Sequence, residues 1–166
     1  GQVGGVNLQA SGILALSSQL DVSGDWTKAG AGTFTPSGQG VVFNGTGAQA
    51  ISGASTAFAG LTINNTAPVP SDAVAVTAST PVISTAQLTV FDGQFMPPNG
   101  SAFNNISIST AGILKPVSGA EVSVTGANGL NGFSNSGGTL TANGSTFAFT
   151  GSGSQQIAAT VPTVFH

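Results

Sequence analysis

Apolar and polar residues alternate along this chain in short runs. The first part reads Val6–Leu8, Ile13–Leu16, Leu20–Val22, Thr33–Thr35, Val41–Phe43, Gln49–Ile51 and Leu61–Ile63. The runs continue at Val74–Val76, Leu88–Val90, Ile106–Ile108, Ile113–Leu114, Val122–Val124, Thr139–Thr141, Phe147–Phe149 and Gln155–Ile157. Alternation at every second residue marks strands with one buried side, and the Gly, Asn and Ser clusters between them mark turns. No window sustains the i, i+3, i+4 apolar spacing of a helix. The pattern predicts an all-β chain of very short strands.

The runs recur as larger units, each opened by a related hexapeptide. The three are Val3-Gly-Gly-Val-Asn-Leu8, Phe58-Ala-Gly-Leu-Thr-Ile63 and Phe103-Asn-Asn-Ile-Ser-Ile108, and Phe165-His166 stands where a fourth begins. Residues 32–51 align without a gap to 138–157. Nine of the twenty positions are identical, among them Gly38/Gly144, Phe43/Phe149, Gly45/Gly151, Gly47/Gly153, Gln49/Gln155 and Ile51/Ile157. A second match pairs Val6/Ile106, Leu8/Ile108 and Leu14/Leu114, then resumes after a short slip with Leu20/Val122, Val22/Val124 and Gly24/Gly126. The middle unit is shortened and lacks the Phe-x-Gly-x-Gly-x-Gln segment. The chain therefore reads as a single repeat domain, 1–166, with units near 3–57, 58–102 and 103–164 and the start of a fourth at 165.

Units of this kind bury their apolar faces against one another. A β-solenoid, or parallel β-helix, accounts for the repeats, the very short strands and the Gly/Asn corners that reach left-handed backbone angles. A β-sandwich of jelly-roll or pilin-like form is the alternative, with antiparallel strands of about 5–6 residues. In the solenoid, Phe34, Val41, Phe43, Ile51, Phe58, Leu61 and Ile63 point inward, as do their counterparts Leu140, Phe147, Phe149, Ile157 and Phe165. Ten phenylalanines and no tyrosine suit a dry interior, because Phe has no hydroxyl to satisfy. The single tryptophan, Trp26, reads as a core or corner residue, with its third-unit site near Asn128–Leu130.

Composition narrows the function classes. Charged residues make up 4% of the 166, far below the usual quarter or so. They are Asp21, Asp25, Asp72, Asp92, Glu121, Lys28 and Lys115, while Ser, Thr, Asn and Gln supply 59 residues. Such a surface lacks the repulsion that keeps proteins apart, and suits close packing of like copies. It offers no clustered Lys or Arg for nucleic acid. A mean hydropathy of +0.31 argues for a folded chain. No apolar run reaches the ~20 residues of a membrane helix, so no membrane span is expected. Without cysteine, disulfides do not hold the fold.

Candidate chemistry is sparse. His166 is the only histidine, so no internal Ser-His-Asp arrangement can form. β-Helix scaffolds host polysaccharide lyases and glycosidases, and the latter need two carboxylates about 5–10 Å apart. Asp21 and Asp25, flanking Gly24, are the nearest pair, and a solvated turn explains them better. The same two acids are the one place to look for calcium. The Gly-rich turns Asn44-Gly-Thr-Gly47 and Thr150-Gly-Ser-Gly153 lack the acids of calcium-binding repeats. No catalytic, cofactor or metal residue is assigned. Five Asn-x-Ser/Thr sequons occur, at Asn44, Asn64, Asn99, Asn105 and Asn143, placed at expected corners where a glycan is tolerated.

The segment Gly32-Thr-Phe-Thr-Pro-Ser-Gly-Gln-Gly-Val-Val-Phe-Asn-Gly-Thr-Gly-Ala-Gln-Ala-Ile-Ser-Gly53, followed by Phe58-Ala-Gly-Leu-Thr-Ile-Asn-Asn65, resembles repeats of long secreted prokaryotic surface proteins, adhesin-like chains taken to be β-solenoids. The resemblance is best in the first and third units. It implies an extracellular or cell-surface setting and carries no catalytic residue. The leading expectation is a structural, non-enzymatic subunit or repeat segment of an extracellular filament, sheath or surface layer. Both sequence ends fall inside a unit without a cap, so the expected partner is the chain itself, joined head to tail. Cell-surface or matrix components are further candidate partners. A stalk region of an adhesin is the second reading and a carbohydrate-active β-helix enzyme the third.

Overall fold

Val3, Val22, Phe43, Ile63, Val90, Ile108, Asn135 and Ala159 lie one above another on successive turns of the backbone. The structure, a computed structural model, describes residues 1–67, 72, 73, 75–126 and 131–165. It is a β-solenoid of about 7 turns, with no helix among the described residues. The strand ladders are parallel, and an isolated bridge between Ser109 and Gly137 is antiparallel. This excludes the sandwich, whose strands would pair antiparallel.

Each full turn crosses three strand stacks. The first face carries the column just named. The second runs Val6, Trp26, Ile51 and Ala78, then Val76, Phe95, Leu114 and Leu140. The third holds Leu14 over Phe34, and then Phe58, Ser84, Phe103, Val124 and Phe149. Neighbouring strands stand about 4.8 Å apart, so equivalent side chains stack in rows. The differences between residue numbers in the first column give turns of 18 to 27 residues, shortest from Val90 to Ile108. Each sequence unit therefore spans more than one turn.

Most strands are as short as the alternation predicts, for example Leu20–Val22 and Thr33–Thr35. Others differ by one or two residues at their ends, for example Ile13–Ala15, Gly40–Phe43, Gln49–Gly53, Thr139–Leu140 and Gln156–Ala159. The expected run at Val74 gives the strand Val76–Ala78, and Val74 itself lies outside the described residues. Two strands are much longer. Val82–Met96 and Ser101–Leu114 pass through all three faces, bending at register shifts next to Ser84 and Val90 rather than at loops. Trp26–Lys28, Thr56–Phe58 and Asn131–Ser136 are strands that alternation does not mark.

The core fills the space between the faces. Val41, Phe43, Ile51, Phe58, Leu61 and Ile63 are buried as expected, and Phe34, Leu140, Phe147 and Phe149 are half-buried against them. Trp26 is buried too, edge-on to Phe34 at 4.8 Å and Phe58 at 5.2 Å. Its indole N–H donates to Thr56 Oγ1 at 3.2 Å, so its one polar atom is satisfied. The expected counterpart near Asn128–Leu130 lies outside the described residues, as does His166. Two expected core residues differ. Ile157 aligns with buried Phe133, and the Phe165 ring touches Phe133 and Phe147, yet they are 54% and 38% exposed. They face the interior, but no described turn covers them.

Candidate functional site

Asp21 and Asp25 flank the corner between the first and second faces, and each has its own donor. Asp21 points outward in register with Gln2 and Val42, and Gln19 Nε2 donates to its Oδ1 at 2.8 Å. Asp25 Oδ1 accepts the backbone N–H of Ala50, on the turn above, at 2.8 Å. That bond makes Asp25 a link between turns. A shallow, open depression lies alongside, lined by Gly5, Val6, Asn7, Gly24, Asp25 and Thr27, and does not include Asp21. Among the described residues no three His, Cys, Asp or Glu side chains gather where a metal could sit.

The corners hold the most developed polar structure. Gln49 is buried, and its Nε2 donates to the carbonyls of Val22 at 3.0 Å and Gly24 at 2.8 Å on the turn beneath. Its Oε1 accepts from Gly45 N and from Asn65 Nδ2 of the turn above, both at 3.0 Å. Asn65, also buried, donates to Gly47 O at 2.7 Å and accepts from Ala67 N at 3.1 Å. Three turns are thus tied through one corner by amide side chains that satisfy both donor and acceptor sites. Gln155 makes the same two downward bonds, to Val124 O at 3.0 Å and Gly126 O at 2.6 Å. A buried polar group is expensive unless it is paired, so these amides fix how one turn sits on the next.

A second tie is ionic. Asp72 receives Lys115 Nζ at 2.7 and 2.8 Å and Gln94 Nε2 at 2.7 Å. Lys115 follows Leu114, which stacks on Phe95, which stacks on Val76, so the three side chains come from successive turns. The hydrogen bond from Lys115, then that from Gln94, holds the Asp72 carboxyl below the ordinary carboxylate range.

The sequons fall in unlike places. Asn99 and Asn143 are exposed at turns; Asn99 Oδ1 accepts from Glu121 N at 2.8 Å, and Asn143 Nδ2 donates to Pro116 O at 3.0 Å. Asn44 and Asn64 are half-buried at a corner, and Asn105 lies at the bend where the long strand Ser101–Leu114 passes from one face to the next. The repeat pairs Gln49 with Gln155, a match whose structural role shows only in the bonds to the turn beneath. The signal in the sequence is their place at the end of Phe-x-Gly-x-Gly-x-Gln in both long units. Comparison with family models, with curated proteins and with solved structures finds no match to this chain.

Proposed function

We propose that the chain is a structural, non-catalytic segment of an extracellular filament, sheath or surface layer, lengthened by stacking like turns on one another. The observation that carries this reading is the parallel stacking of about 7 turns, an arrangement whose strand edges accept a further turn of the same kind. Ile157, Val164 and Phe165 are 54%, 50% and 38% exposed, while residues below Ile157 in the same row, such as Phe133 and Ile106, are fully buried. A parallel turn of another copy, stacked there, would cover that apolar surface and satisfy the open strand edge, which otherwise recruits strands.

Two other features support the reading. The side chains with the most elaborate hydrogen bonding, Gln49, Asn65 and Gln155, bind other turns of the chain. With 4% charged residues, little electrostatic repulsion opposes contact between copies. The resemblance to secreted surface repeats supports the extracellular setting. Negative-stain images of the native material test the proposal: rods whose long axis follows the stacking direction support it, and isolated globular particles refute it.

A further inference from the structure

The two best-matched segments of the sequence do not lie on the same face of the solenoid. Phe43 belongs to the first face, in the row of Ile63, Val90 and Ile108, whereas its counterpart Phe149 stands on Val124 and Phe103 in the third. Ile51 is on the second face and Ile157 on the first. Phe34 is on the third and Leu140 on the second. The other matches step the same way, Val22 to Val124 from first to third and Val6 to Ile106 from second to first. Every counterpart sits one face earlier, a third of a turn round the axis.

Local geometry survives that rotation. Ser37 and Gly38 have φ of 51° and 78°, and Asn143 and Gly144 have 55° and 69°. In each case the turn is closed by a backbone bond at 2.8 Å, Gln39 N to Pro36 O and Ser145 N to Ala142 O. Two successive positive φ values define the mirror-image tight turn that favours Asn or Gly. Downstream, Gln49 and Gln155 each bond the two carbonyls of a Val-x-Gly on the turn beneath, Val22-Ser-Gly24 and Val124-Thr-Gly126. Glycine is required where the corner passes that close. A Cβ on Gly45 would meet Ser23 O at 2.8 Å, and one on Gly151 would collide with Gly126 O.

We infer that residues 32–51 and 138–157 are one face-independent docking module, whose Phe-x-Gly-x-Gly-x-Gln corner recognises a Val-x-Gly corner on the turn beneath and sets the register of stacking. The glutamine amide is the specificity element, because it donates to both carbonyls of that corner at once. The faces are interchangeable to the module. Outward residues travel with the module: exposed Thr33 lies on the third face and its identical counterpart Thr139 on the second, so the whole segment is carried round the axis. The inference concerns stacking within one chain and holds whether or not the chain forms filaments.

Glutamate tests it, since it keeps the shape and loses the donor. In the full chain, Gln49→Glu and Gln155→Glu should each lower Tm at neutral pH by on the order of 3–10 °C. Burial against carbonyls raises the carboxyl pKa, so the protonated, donating form returns in acid and the deficit relative to wild type shrinks as pH falls. Gln49→Met, with similar volume and no donor, should show a deficit that does not shrink in this way. Replacing residues 138–157 by the sequence of 32–51 should leave the far-UV spectrum unchanged and Tm within about 5 °C of wild type. Glutamate and methionine variants with identical pH profiles would overturn the recognition role. A swapped chain that loses its β spectrum while both glutamate variants fold would overturn face independence.

Discussion

Ile51 and Ile157 end the same Gly-x-Gly-x-Gln-x-Ile sequence, yet Ile51 is 1% exposed beneath Ala78 and Ile157 is 54% exposed. The difference is one covering turn. Ile51→Ala removes packed methyl and methylene groups and leaves a cavity, so it should cost about 2–5 kcal/mol. Ile157→Ala should cost less than about 1 kcal/mol in the isolated chain. Chemical denaturation of both variants measures the contrast, and equal losses would contradict the assigned stacking.

Phe43 and Phe149 give a second, graded comparison. Phe43 is fully buried and edge-on to Phe58 at 6.3 Å, and Phe43→Ala should cost about 3–5 kcal/mol. Phe149 is half-buried, so Phe149→Ala should cost measurably less. Thr33→Ala, at an exposed outward position, should stay within about 0.5 kcal/mol of wild type. Urea midpoints with unchanged slopes would report this order directly.

The Asp72–Lys115 pair predicts a specific pH dependence. The folded-state pKa of Asp72 is depressed, so its contribution is present above the unfolded value, near 3.8, and is lost as pH falls through the lower folded value. Lys115→Met should therefore reduce Tm slightly at neutral pH and make no difference in strong acid. The effect is small because the Asp72 side chain is 59% exposed. A deficit for Lys115→Met that persists undiminished in strong acid would contradict it.

Polysaccharides should be neither hydrolysed nor cleaved by elimination. Asp21→Asn combined with Asp25→Asn should change no turnover, and its consequence should be the weakened contact between Asp25 and Ala50 N. Reducing-sugar and unsaturated-product assays check this. Activity present in wild type and lost in the double variant would replace the structural reading with a catalytic one.

Much of the architecture is legible in residue order because parallel stacking repeats the same demands at every turn. The alternation in Leu20–Val22 and Leu61–Ile63 marks the inward pairs directly. The face each strand occupies is not legible, because turns of 18 to 27 residues let a matched segment slip round the axis. The long strands through Gln87 and Asn105 also escape, since their corners bend by register shift and the strand pairing continues past turn-type residues such as Gly93 and Asn105. Trp26–Lys28 is missed because Thr27 and Lys28 follow a single apolar residue, and only the stack on Ile51 shows its direction. Gln49 and Asn65 look like surface amides in a polar chain, and their burial comes from the neighbouring turns they bond.

The most direct test of the structural account is light scattering of the isolated 166-residue chain over a range of concentrations, with Ile157→Lys as the control. The account predicts species that lengthen as concentration rises, with the growth suppressed by a charge placed on the uncovered turn. A wild-type chain that stays strictly monomeric at every concentration would contradict it, as would assemblies indifferent to Ile157→Lys.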